Sequence, residues 1–137
     1  AWRTLPLRLL SGQSHTALAA CDQTLIASGT ATLESALFKR PMVIAYRLAP
    51  LSYRMMKNKA YQPWFGLPNI LAGEFLVPEF IQDAATPQAL AEAIVRQHDD
   101  ASGRERLVAR FAEMHHVLAQ GCARRVAETV LDDLSRA

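Results

Sequence analysis

The segment Ser28-Gly29-Thr30-Ala31-Thr32 carries the residue types that an anion site needs. The apolar Leu25-Ile26-Ala27 precedes it, and Leu33-Glu34-Ser35-Ala36-Leu37 follows in a helix-forming pattern. A strand would deliver the chain to a sheet edge, Gly29 would allow close backbone approach, and the first helical N–H groups would point at a ligand. The backbone amides and two threonine hydroxyls of such a turn can hold a phosphate or a diphosphate. The same residues also fit an ordinary strand-to-helix turn with a hydroxyl cap. The turn is not a Walker loop, because no Gly-Lys-Ser/Thr follows, and it is not G-x-G-x-x-G.

Three further residues have chemistry at a useful distance from that turn. With Thr30 as N-cap, Glu34 falls one residue too late to close a capping box. Its carboxylate is then free to accept two hydrogen bonds, as from the vicinal hydroxyls of a ribose; the alternative is a solvated partner of the helix dipole. Arg47 follows the strand-like Val43-Ile44-Ala45-Tyr46, at the sheet edge where open α/β sheets bind ligands, and suits a phosphate contact or a plain surface position. Asn69, in the apolar Leu67-Pro68-Asn69-Ile70-Leu71-Ala72-Gly73, needs partners for its amide and either caps a turn or faces a substrate.

Other chemistries find little support. His15, His98, His115 and His116 form no metal-ligand pattern with Cys or Asp, and no G-x-S-x-G elbow is present. Cys21 and Cys122 lack a CxxC spacing and read as reduced thiols, with a structural disulfide as the alternative. Between Leu51 and Phe65, Tyr53, Met55, Met56, Tyr61, Trp64 and Phe65 interleave with Arg54, Lys57 and Lys59. Such a mixture suits an anionic membrane surface, or else a core-facing stripe with solvated lysines.

The elements that must position these residues are legible as punctuation and periodicity. Pro6–Leu10, Gln23–Ala27 and Pro41–Tyr46 read as strands, and Asn69–Ala72 as a short one. His15–Cys21, with Ser14 as N-cap, reads as a helix, as do Thr30 to about Lys39 and Pro50 to about Ala60. Phe75–Ile81 reads as a helical turn and Asp99–Gly103 as a turn. Thr86-Pro87 starts a helix to about His98. Two helices follow, with apolar stripes Leu107, Phe111, Met114, Leu118 and Val126, Val130, Leu134, and Gly121 between them. Apolar strands alternating with helices indicate a Rossmann-like α/β fold: a parallel sheet covered on both faces by flanking helices, ending in a helical C-terminal third.

The chain has 137 residues, half of them hydrophobic, with a net charge of +2. One globular domain is expected, and the charge gives no case for nucleic acid. Arg40, Arg47, Arg54, Lys57 and Lys59 cluster with no Asp or Glu between Glu34 and Glu74, which predicts a local positive face. No apolar run reaches the roughly 20 residues of a membrane span, and no signal-type region follows Ala1, so a cytoplasmic protein is expected. The chain starts without Met and enters almost at once into a strand-like run, as a piece of a longer protein would.

Ala27-Ser28-Gly29-Thr30-Ala31-Thr32-Leu33-Glu34, Pro41-Met42-Val43, Tyr46-Arg47 and Leu67-Pro68-Asn69-Ile70-Leu71-Ala72-Gly73 together resemble the C-terminal part of bacterial lipid-A-disaccharide synthases, in order and spacing over nearly the whole chain. The resemblance implies an inverting glycosyltransferase of two Rossmann-like domains (GT-B), of which residues 1–137 are the nucleotide-sugar-binding half and the N-terminal acceptor domain is absent. It implies transfer of 2,3-diacylglucosamine from UDP to 2,3-diacylglucosamine 1-phosphate, without metal or organic cofactor, at the inner-membrane surface of Gram-negative cells. Ser28, Gly29, Thr30, Ala31 and Thr32 would hold the UDP diphosphate and Glu34 the ribose. Arg47 matches a Tyr-Arg motif, and Asn69 a functionally important, catalytic asparagine. Members can dimerise by exchanging C-terminal segments, for which the last two helices are candidates. A lone fragment would be inactive. The other readings are half of a different UDP-sugar transferase or epimerase, and a non-catalytic nucleotide-binding α/β module.

Overall fold

A computed structural model describes residues 5–57 and 62–136. In chain order the elements are α1 (Ser14–Ala20), β1 (Thr24–Ala27), α2 (Thr30–Leu37), β2 (Met42–Tyr46), α3 (Pro50–Lys57), α4 (Leu67–Ala72), β3 (Glu79–Ile81), a 3-10 turn (Gln82–Ala84), α5 (Pro87–Asp99), α6 (Ala101–Leu118) and α7 (Cys122–Ser135). The three strands form a parallel sheet in the order β1-β2-β3, flanked by helices. Thr24–Ala27 pairs with Met42–Ala45, and Ile44–Tyr46 with Glu79–Ile81. The expected extension of α3 to Ala60, together with Lys59 and Tyr61, lies outside the described residues.

The core follows from the most strand-like run in the sequence. Met42, Val43 and Ile44 are fully buried in the central strand. Ala36 of α2, Val77, and Leu107 and Phe111 of α6 pack with Met42 and Ile44, and Ile26, Leu76 and Met114 close the cluster. The Leu107–Phe111–Met114 part of the predicted stripe is therefore the face α6 turns to the core, while Leu118 is 40% exposed. α5 starts as its sequence predicts, with Thr86 accepting from the Ala89 amide at 3.2 Å and Pro87 in the first turn. α6 begins inside the expected turn, because Asp100 caps it by accepting from the Gly103 amide at 2.8 Å. That amide, and then the Ser102 hydroxyl, hold the Asp100 carboxyl below its ordinary range.

Several sequence expectations are corrected. Pro6–Leu10 is not a strand: Leu5, Leu7 and Leu9 are exposed, and no strand among the described residues pairs with them. Leu67–Ala72 is a helix, not a strand, because Pro68 sits in its first turn and Gly73 ends it in the left-handed conformation at φ 70°. Phe75–Ile81 contains the third strand, not a helical turn. α1 starts at Ser14 with Gln13 as its N-cap and no side-chain cap. The sheet is also less covered than its apolar strands suggest: β1 is an edge strand, and Leu25 is 54% exposed. Arg40 and Arg47 do not share a positive face. Pro41 and the five residues of β2 separate them, seven steps of roughly 3.3 Å or about 23 Å along the chain. Arg40 instead donates to the carbonyls of Leu18 (2.8 Å) and Ala19 (2.7 Å), tying the end of α1 to the end of α2.

Candidate functional site

Parallel pairing carries the C-terminal ends of all three strands to one edge of the sheet. There the chain leaves β1 through Ser28-Gly29, β2 through Arg47, and β3 through Gln82-Asp83. Gly29, not Thr30, is the N-cap of α2. Its φ of 141° lies where side-chain-bearing residues are strained, so the close turn depends on glycine. No side chain caps α2, and no acidic residue lies in its first turn. Thr32 is fully buried, and its hydroxyl donates to the Gly29 carbonyl at 2.7 Å, beside its own amide at 3.1 Å. Thr32 thus closes the turn from within. The amides of Gly29, Thr30 and Ala31 meet no acceptor among the described residues. Gly29 and Thr30 are exposed, so donors stand at the positive end of a helix, open to an anion.

Glu34 lies one turn further along α2, with its side chain 40% exposed. The imidazole of His15 of α1 stands beside it, with Nε2 3.6 Å from Glu34 Oε2. The His15 ring packs on Phe38 at 5.6 Å between centroids. Sequence reasoning had placed His15 only at a helix start; nothing local links it to a glutamate 19 residues on. Arg47 projects at the end of β2, 72% exposed, with Asp83 Oδ1 at 3.4 Å. Beneath it, Gln82 accepts from the Leu48 amide (2.6 Å) and donates to the Leu48 carbonyl (3.0 Å), which ties the exit of β2 to that of β3.

Asn69 differs from these exposed residues in being enclosed. It is fully buried in α4, and its Nδ2 donates to the Val77 carbonyl (2.8 Å) and to Glu79 Oε1 (2.7 Å) while its Oδ1 accepts from the Val77 amide (2.8 Å). Its bonding capacity is thus used inside the protein. Glu79, which sequence reasoning missed, is the hub of this wall. Its carboxylate also accepts from the amides of Phe65 (2.9 Å) and Gly66 (2.8 Å), and so caps α4 from outside its own sequence. Ser28 donates to the Phe65 carbonyl at 3.2 Å, joining the β1–α2 turn to the same wall. The only signal for Glu79 was a carboxylate in an otherwise apolar stretch, which needs donors when half-buried. A Cβ at Gly66 would overlap Ile44 Cδ1 and come within 3.0 Å of Glu79 Oε1, so a side chain there requires the buried Ile44 to shift.

A family model described as lipid-A-disaccharide synthetase matches residues 3–130. The chain belongs to the lipid-A-disaccharide synthase family. It is 53% identical over 133 residues to the lipid-A-disaccharide synthase of Thiobacillus denitrificans, covering 97% of this chain and 36% of that one. The synthase of Azotobacter vinelandii is 54% identical over 135 residues (98% and 35% covered), and that of Pseudomonas aeruginosa 55% over 132 (96% and 34%). The chain spans about a third of the length of these lipid-A-disaccharide synthases. The family is one of glycosyltransferases of lipid A biosynthesis. No helix among the described residues is long and apolar enough to cross a membrane, and no three His, Cys, Asp or Glu among them are placed to hold a metal.

Proposed function

We propose that this chain is the donor-binding part of a lipid-A-disaccharide synthase. The diphosphate of UDP-2,3-diacylglucosamine sits on the amides of Gly29, Thr30 and Ala31, with Ser28 and Thr32 shaping the turn. Glu34 receives the ribose hydroxyls, and Arg47 faces the diphosphate from the end of β2. The observation that carries this reading is the row of amides at the positive end of α2 that meet no acceptor among the described residues. As the glycosidic bond to the donor sugar breaks, negative charge grows on the leaving UDP. Donors already aimed at that charge stabilise the transition state more than the ground state. Asn69 acts as a positioning residue, holding the α4 wall against which Ser28 is tied.

The acceptor, 2,3-diacylglucosamine 1-phosphate, and the base that activates its hydroxyl belong in this reading to parts of the protein outside these residues, and the fragment alone does not turn over. Exposed Leu51 and Met55 beside Arg54 on α3 support contact with the inner-membrane surface from the cytoplasmic side. Val126, Val130, Leu131 and Leu134 are all at least half exposed on α7, which supports a homodimer formed by exchange of C-terminal segments.

Thr30→Pro tests the anion turn with little cost to the fold. Proline suits the first helical position, and Gly29 before it has an extended ψ of −166°. The substitution removes one amide donor and is expected to weaken UDP binding by the intact protein about tenfold, a charge-assisted hydrogen bond. Glu34→Ala is expected to do the same through the ribose. Calorimetric affinities for UDP unchanged in both variants would show that the nucleotide sits elsewhere.

A further inference from the structure

A carboxylate can satisfy the two hydrogens of a vicinal diol, but the hydroxyl oxygens keep lone pairs that need a donor. A side-chain donor stands beside Glu34 in His15. Its Nε2 lies 3.6 Å from Glu34 Oε2, too far for a hydrogen bond between them and near enough for both to reach one hydroxyl group. The imidazole is not adrift on a loose helix. Phe38, the C-cap of α2, packs against its ring, at 5.6 Å and a 44° tilt, and the far end of α1 is held by the two hydrogen bonds from Arg40, just beyond α2. Leu18 is buried beneath α1. Both ends of the short helix are thus docked on the residues that close α2, the element that carries Glu34.

We propose that His15 is a specificity-determining residue of the nucleotide site, donating from Nε2 to a ribose hydroxyl oxygen whose hydrogen goes to Glu34. This rests on the assignment of the Glu34 side of α2 to a ribonucleotide. The pair reads the 2′-hydroxyl by both of its hydrogen-bonding functions, so a deoxyribose leaves an acceptor and a donor unmatched. The site then takes ribonucleoside diphosphates in preference to their 2′-deoxy counterparts.

The test is calorimetric titration of the intact protein with UDP and with 2′-deoxyuridine diphosphate, for the wild type, His15→Ala, His15→Gln and Glu34→Ala. The wild type is expected to prefer UDP at least tenfold. His15→Ala is expected to lose most of that preference, chiefly by weakening UDP binding and not that of the deoxy form. His15→Gln, which keeps an N–H donor, is expected to recover part of it. A purely structural role for His15 would weaken both ligands alike and leave their ratio unchanged; that result, or an unchanged ratio in both His15 variants, overturns the proposal while UDP binding stands. Failure of the wild type to bind UDP at all overturns the donor-site reading and this proposal with it.

Discussion

Asn69→Ala is expected to lower the folding free energy by about 3 kcal/mol, within the range for stranding buried polar groups at roughly 1–3 kcal/mol each. The side chain is fully buried and holds both the amide and the carbonyl of Val77. Val77 is itself buried at the core cluster, so water cannot replace the lost partners without opening the core. The third bond, to Glu79, ties α4 to β3. Urea denaturation of the chain measures the effect, as a fall in midpoint at constant m. Because Ser28 is bonded to Phe65, next to the N-cap of α4, turnover by the intact protein is expected to fall with stability. A midpoint that hardly moves would mean that the Asn69–Val77 bonds are not what holds this wall.

Glu79→Ala is expected to cost about 2–4 kcal/mol by a different route, since it removes the acceptor of three donors at once. The amides of Gly66, the N-cap of α4, and of Phe65 just before it have no helical partner, and Glu79 accepts from both. Glu79→Gln is expected to be only partly tolerated. One carboxylate oxygen becomes an NH2 donor and meets an N–H donor at whichever of the two positions it takes. Hydrogen exchange of the Phe65 and Gly66 amides gives the local readout, fast in both variants and slow in the wild type. Equal protection in Glu79→Ala would remove Glu79 from its place as hub.

Some of this molecule was legible in its sequence, and the boundary has physical causes. The apolar runs ending at Ala27 and Tyr46, with a helix between, specified a parallel pair, because only a crossover connects strands in that orientation. Thr86-Pro87 and the Leu107–Phe111 spacing placed α5 and the core face of α6 for local reasons that tertiary structure did not override. The segment from Leu67 to Ile81 was inverted, helix for strand and strand for helix. A short apolar run such as Ile70-Leu71-Ala72 fits either element by periodicity, and the deciding signs were Pro68 and Gly73 at its ends. Pro78 and Glu79 disguised the third strand, whose glutamate is explained by donors 10 to 14 residues away. The anion turn was readable as residue types. That His15 stands beside Glu34 depends on the packing of α1 on the α2 segment, which no local pattern encodes.

The most direct measurement of where the nucleotide diphosphate binds is an amide-resolved NMR titration of the intact protein with UDP and, separately, with uridine. UDP is expected to shift the amides of Gly29, Thr30 and Ala31 most strongly, since a phosphate oxygen becomes the acceptor they lack. Uridine is expected to leave those three in place, because it carries no phosphate. Largest shifts at another surface with UDP, or equal shifts at Gly29–Ala31 with uridine, would contradict the assignment of this turn to the diphosphate.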